Sequence, residues 1–175
     1  MPDGRRAGVS LPDDAVAELF RRHRPDLLRL AVLLLGDRAL AEDVVQDAFV
    51  ALHRRWPTLA DPAAAAGYLR VSVVNGARSA HRHRAVVRRH LRAGEPEALP
   101  AADAGVLLAE EHRTVLAAVR RLPRRQREVL VLRYWSGLSE AEIADTLAVS
   151  RGTVKTSASR ALAKLEALLG GPGAS

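Results

Sequence analysis

The chain contains no cysteine, which excludes a disulfide framework, a thiolate nucleophile and any zinc site built on cysteine. Aromatic residues are nearly as scarce, with two each of Phe, Tyr and Trp in 175 residues. Among the 27 basic residues only Lys155 and Lys164 are lysines, a skew towards arginine that GC-rich coding produces before function is invoked. No apolar run approaches the roughly 20 residues that span a bilayer. The opening MPDGRRAGVSLPDD lacks the apolar segment of a signal peptide. A soluble, cytoplasmic protein is therefore expected. Sustained apolar–polar alternation with hairpin turns is missing too, which removes β-sheet architectures.

What is present points to helical modules. Hydrophobic residues make up 48% of the chain, enough to give one or two small domains a core. The formal charge of +7 attracts polyanions, either nucleic acid or an anionic membrane surface. Residues 93–105, AGEPEALPAADAG, mix Ala, Gly, Pro and acidic residues without an apolar period and read as a flexible linker. The expected fold class is all-α: a first module over 13–92, the linker over 93–105 and a second module over 106–169, with 1–12 and 170–175 as frayed ends. Pro25, Gly36-Asp37 and Asp61-Pro62 divide the first module into helices near 13–23, 26–35, 38–56 and 63–92. In the second, Pro123 starts a helix over about 124–135.

Two short signals then follow in register. Ser139 and Glu142 have the spacing of a capping box, and Ser150 stands in the corresponding place before the last helix. Between them AEIADTLAVS supplies a short helix with Ile143, Ala144 and Leu147 apolar, then a tight connection. At 100° per residue, 151–169 places Val154, Ala158, Ala161, Leu165 and Leu168 on one side. Gly152, Lys155, Thr156, Ser159 and Ala163 lie opposite, with Arg160 at the edge. That face is cationic and carries no bulk to hold the backbone away from a groove. The pair has helix-turn-helix spacing, in which the second helix enters the major groove. Arg and Lys there can bind phosphates or guanine edges, and Ser and Thr can read either.

The first module shows two faces of opposite charge. In 38–56, Ala41, Val45, Ala48, Phe49, Leu52 and Trp56 form an inner stripe, whereas Asp43, Gln46, Asp47, Val50 and Arg54 face out. A valine inside an acidic ring resembles a protein contact surface. In 63–92, Leu69, Val73, Gly76, Ala80, Val87 and Leu91 share one side. Arg78, Arg82, Arg89 and Arg92 share a narrow sector opposite, a guanidinium rail suited to phosphates. A basic amphipathic helix can also lie on a membrane, but the small residues of its apolar face suit packing better than insertion, so no membrane partner is expected. His81 and His83, two apart, point to different sides of a helix and cannot chelate together. They are expected at the surface or facing a groove, as is His90. Gly-rich phosphate loops, nucleophile elbows and catalytic carboxylate pairs are missing. Neither an enzyme nor a metal or cofactor site is expected.

FRRHRPDLLRLAVLLLGDRALAEDVVQDAFVALHRRW, then YLRVSVVNGARSAHRHR, then LPRRQREVLVLRYWSGLSEAEIADTLAVSRGTVKTSASRALAKL together resemble the σ2 and σ4 regions of sigma-70-type initiation factors of the extracytoplasmic-function (ECF) group. Within that group the chain is most similar to the short actinobacterial SigE-type subfamily. The resemblance implies a σ2-like and a σ4-like domain, and a specificity subunit that binds core RNA polymerase and promoter DNA. It implies that Asp43, Gln46, Asp47 and Val50 dock on the β′ clamp coiled coil, with σ4 on the β flap. It further implies that the loop 56–66, with Thr58 and Asp61, captures an unstacked −10 base together with Asn75, Arg78, Arg82 and Arg89 of the basic helix. The −35 reader would be the last helix, through Arg151, Thr153, Lys155, Thr156, Ser159 and Arg160. An anti-sigma factor is a further partner that the resemblance allows. The chain departs from the family pattern at Ser157, where relatives often carry arginine, and at Ser159, where they carry a bulky residue, so no relative's −35 sequence transfers. Trp56 and Tyr68 are the only aromatics expected near the single strand. Stacking is worth about 1–3 kcal/mol per base, so weak autonomous melting is expected. The alternative from another class is a stand-alone helix-turn-helix regulator of duplex DNA.

Overall fold

The computed structural model describes residues 12–90 and 110–170, and every regular element among them is helical. In chain order these are α1 (Pro12–Leu35), α2 (Arg38–Arg55), α3 (Ala65–His90), α4 (Glu110–Arg120), α5 (Arg124–Leu130), α6 (Glu140–Leu147) and α7 (Arg151–Leu169). Short 3₁₀ turns at Trp56–Thr58 and Pro62–Ala64 lead into α3, and a π-helical turn at Val131–Trp135 follows α5. The linker expected over 93–105 and both expected frayed ends fall on residues outside those described, apart from Pro12 and Gly170.

The helix break expected at Pro25 does not occur: α1 runs through it. Pro25 sits on the exposed side of α1, where water can meet the carbonyl that its missing N–H leaves without a donor. The helix ends instead at Gly36, whose φ of +70° few other residues adopt. Asp37 then caps α2, its carboxylate accepting from the backbone N–H of Leu40 at 3.0 Å.

α1, α2 and α3 pack against one another as a three-helix unit around Leu30, Leu34, Ala41, Val45, Leu52, Leu69 and Val73, all buried. Ala41, Val45, Ala48, Phe49 and Leu52 of the inner stripe read from the α2 sequence are buried, but Val44 joins them and Trp56, just past the helix, is only half-buried. On α3, Leu69 and Val73 are buried as expected, but Val74 and Ala77 join them and Val87 is exposed. Gly76 marks the close approach of α3 to α2, because a Cβ there would lie 2.8 Å from Val44 Cγ1. In the second module, α7 packs on α4, α5 and α6, with Val129, Leu132, Ile143, Leu147, Val154, Ala158 and Ala161 buried.

The two modules are docked on each other, and their buried side chains form one continuous apolar cluster. Several polar groups at the seam are matched across it, although among the described residues the buried Nε of Arg127 has no hydrogen-bond partner. Arg127 of α5 donates from Nη1 to the carbonyl of Leu34, near the end of α1, at 2.9 Å. Arg78 of α3 donates from Nη1 and Nη2 to the carbonyl of Leu147, the last residue of α6, both at 3.2 Å. Each module thus supplies a guanidinium to a helix C-terminus of the other, where carbonyls lack intrahelical partners and the dipole favours cations. Glu128, 3% exposed, lies at the centre and pairs with Arg78, Arg124 and Arg125 at 3.3, 3.6 and 3.3 Å. A carboxylate so buried is tolerable only when paired, and removing its partners from such a site costs about 3–5 kcal/mol.

Two expectations for α3 are corrected here. Arg78 does not continue an outward rail: its side chain is 16% exposed and turned into the seam. His81 is half-buried rather than superficial, with Nε2 3.1 Å from the same Leu34 carbonyl. A carbonyl only accepts, so Nε2 carries the proton. The wheel placed both residues by angle alone and could not know that a second module covers that side.

Gly76→Leu is expected to drive into Val44 and lower stability by about 1–3 kcal/mol, read as a lower Tm, and Val44→Ala in the same chain should recover part of the loss. An unchanged Tm for Gly76→Leu would contradict the close approach. A second expectation concerns pH. Burial, then Arg127 and Arg124, hold the His81 imidazole below its ordinary 6.5, against the opposing pull of the Leu34 carbonyl and Glu128. The folded, docked state therefore favours the neutral ring, and the unfolded chain takes up a proton as pH falls through about 6.5. Stability contributed by this site should be present at pH 7.5 and decline towards pH 5.5, above the carboxylate range. Thermal melts should show a smaller decline for His81→Gln, and equal declines would contradict the assignment.

Candidate nucleic-acid and protein interfaces

The helix-turn-helix is built from local hydrogen bonds before any packing is considered. Glu142 N–H donates to Ser139 Oγ at 3.3 Å, and Ser139 N–H donates to Glu142 Oε2 at 2.8 Å, completing the capping box at the start of α6. α6 ends at Ala148, which takes a left-handed conformation with φ 52°. Val149 N–H then donates back to the carbonyl of Ala144 at 3.0 Å, a closure that turns the chain sharply. Ser150 Oγ accepts from Thr153 N–H at 3.1 Å and starts α7. These caps fix the angle at which α7 leaves the turn.

Val154, Ala158 and Ala161 anchor α7 to the core, with Leu165 and Leu168 partly buried behind them. Arg151, Thr153, Lys155, Thr156, Ser159 and Arg160 are all exposed. The structure therefore brings the six candidate readers onto the solvent side of one helix. Thr153 differs from the others, because its hydroxyl is 2.9 Å from Ser150 Oγ and also serves the cap. Glu140 tempers the cationic face. Arg133 binds its carboxylate at 2.7 Å, and that hydrogen bond, reinforced by Lys155 and Arg151, holds the carboxyl below its ordinary range.

Asp43, Gln46, Asp47 and Val50 are exposed together on α2, with Val50 at 42%. Phe49, one residue away, is buried and meets Phe20 edge-on at 4.9 Å. The core is thus supplied by its neighbours, and Val50 is left as an exposed apolar residue within an anionic patch.

Thr58, Asp61, Asn75 and Arg82 reach solvent on the loop and on α3. Two of them shape the loop itself: Thr58 Oγ1 donates to the carbonyl of Arg55 at 2.9 Å, and Asp61 Oδ1 accepts from Ala63 N–H at 2.9 Å. Tyr68 is half-buried, with the Arg55 guanidinium 5.6 Å from its ring centre. Arg78 is separated from this group by its place in the seam. The side chain of Arg89, and Arg92 entirely, lie outside the described residues.

Sequence reasoning missed Tyr134 and Trp135, 61% and 50% exposed. They line a groove with His23, Leu27, Leu30 and Arg70 of the first module. No local signal marked them, since adjacent helical residues can both pack inward, as Val73 and Val74 do here. Among the described residues no group of three His, Asp or Glu side chains is placed to hold a metal ion, and no helix is long and apolar enough to cross a membrane.

Comparison with known proteins places both modules. Models of sigma-70 region 2 and sigma-70 region 4 match residues 19–92 and 112–165. The RNA polymerase sigma-E factor of Streptomyces avermitilis is 38% identical over 152 residues, covering 85% of this chain and 81% of that protein. The ECF RNA polymerase sigma factor SigM of Mycobacterium tuberculosis is 36% identical over 156 residues, covering 89% and 78%. Among solved structures, the sigma factor RpoE of Bartonella quintana, in complex with the anti-sigma factor NepR, superposes with a TM-score of 0.71 at 25% identity, covering 89% of this chain and 97% of that one.

Proposed function

The chain belongs to the ECF group of the sigma-70 family, whose members are non-enzymatic transcription initiation factors, and from that premise we propose that it binds core RNA polymerase and directs initiation at promoters bearing −10 and −35 elements. The observation that carries the proposal is the presence, on one chain, of an anionic surface centred on Val50 and a cationic small-residue surface on α7. A polymerase-independent regulator needs only the second.

On this reading residues 13–92 act as the σ2 domain. Asp43, Gln46, Asp47 and Val50 hold the β′ clamp coiled coil, and Thr58, Asp61, Asn75, Arg82 and Arg89 lie along the melted −10 strand. Residues 106–169 act as the σ4 domain, docked on the β flap and presenting α7 to the −35 element. The work is binding and strand capture in the cytoplasm; the phosphodiester chemistry belongs to the polymerase. The complex in which the Bartonella relative was solved supports an anti-sigma factor as a further partner.

Asp47→Arg is expected to abolish core binding and promoter-dependent transcription while leaving α7 binding to duplex DNA intact, measured by co-elution and by gel shift. Unchanged affinity for core would remove the α2 face from the interface. Arg160→Ala is expected to reduce discrimination between promoters by about 1–3 kcal/mol if its guanidinium grips a guanine edge. A phosphate contact would instead weaken all sequences alike and lower the salt slope by about one. Identical binding before and after substitution would take Arg160 off the reader surface.

A further inference from the structure

The two carboxylates in the first turn of α6 have different tasks. Glu142 is spent on the cap, accepting from the backbone N–H and the hydroxyl of Ser139 at 2.8 and 2.7 Å. Glu140 is directed elsewhere. It accepts from Arg133 Nη1 at 2.7 Å, and Arg151 and Lys155 of α7 lie near enough to help hold it ionised. The side chains of Arg133 and Glu140 are 38% and 39% exposed, so the pair stays within reach of whatever meets the reader helix.

A carboxylate in that place opposes duplex DNA in general. Sequence-independent affinity comes from cations that meet phosphates and release counterions, and Arg133 can join them only by leaving Glu140. In a matched complex the base contacts fix the register, Arg151 and Lys155 turn to base edges, and the Arg133–Glu140 pair stays intact. Glu140 therefore costs an unmatched complex more than a matched one. Specificity is a difference of affinities, and weakening the wrong complex raises it. We propose that Glu140 is a specificity-determining residue of the reader surface: by holding Arg133 beside the cationic face of α7, it suppresses sequence-independent binding to duplex DNA and leaves base contacts to decide where the chain binds. This rests on the −35 reading of α7 proposed above. A rival role exists, since an acidic residue in the first turn of a helix also complements its dipole, but that role predicts an effect on stability and none on selectivity.

The test uses the full chain. Duplexes are enriched from a randomised pool by the parent chain, and the best of them and a mixed-sequence duplex of equal length are titrated by fluorescence anisotropy over a range of salt. Glu140→Gln is expected to bind the mixed-sequence duplex at least fivefold more tightly, with a salt slope steeper by about one, and the enriched duplex less than twofold more tightly. Discrimination falls. Adding Arg133→Gln should return the mixed-sequence affinity to within twofold of the parent. Asp145→Asn removes one negative charge from another exposed side of α6 and should leave discrimination unchanged. An equal loss of discrimination in Asp145→Asn would reduce the effect to net charge and overturn the inference. A lower Tm for Glu140→Gln with unaltered discrimination would overturn it in favour of the dipole role. If the parent enriches no sequence, with or without core polymerase, the −35 reading itself falls and this inference with it; enrichment by the parent with unchanged discrimination in Glu140→Gln overturns this inference alone.

Discussion

Every α-helix ends with carbonyls that no residue of the helix can satisfy, and at two helix ends this chain meets that constraint by reaching across from the other module. The guanidinium of Arg127 on the end of α1 and that of Arg78 on the end of α6 hold the modules in one register. Glu128 allows so many cations to converge there. A seam made only of Leu and Val would tolerate sliding; paired donors and acceptors do not. His81 belongs to the same device, since it shares the Leu34 carbonyl and stays neutral among the surrounding arginines.

That constraint divides the surface into parts with different duties. α2 buries Phe49 and Leu52 and leaves Val50 outside within an acidic ring. α7 buries Val154, Ala158 and Ala161 and presents Lys155, Thr156, Ser159 and Arg160 outward. α3 alone has three duties: it completes the first core through Leu69 and Val73, contributes Asn75 and Arg82 to solvent, and carries Arg78 and His81 into the seam. Its sequence shows an apolar side and a basic sector, and neither marks which residues enter the seam.

The legible parts were those decided by local chemistry. The Ser139–Glu142 capping box, the Ser150 cap, the inner stripes of α2 and α7 and the all-helical class each depend on residues within a few positions of one another, and the family resemblance rested on those same segments. Pro25 misled because a helix can absorb both the lost hydrogen bond and the crowding of the pyrrolidine ring on its solvent side, and a residue's exposure is not written in the local sequence. Arg78 and His81 misled because their partners lie 69 and 47 residues away. The π-helical turn that pushes Tyr134 and Trp135 outward has no compositional mark. Long-range matching of a donor to a helix end is a property of the folded seam, and no window of sequence contains it.

The most direct test of the central claim is reconstitution of the purified full chain with core RNA polymerase, followed by transcription from a template carrying its own upstream region. Co-elution with core and a discrete transcript that depends on the added chain is the expected result. A folded chain, free of inhibitor, that fails to bind core while still shifting duplex DNA would contradict the claim and leave a polymerase-independent regulator.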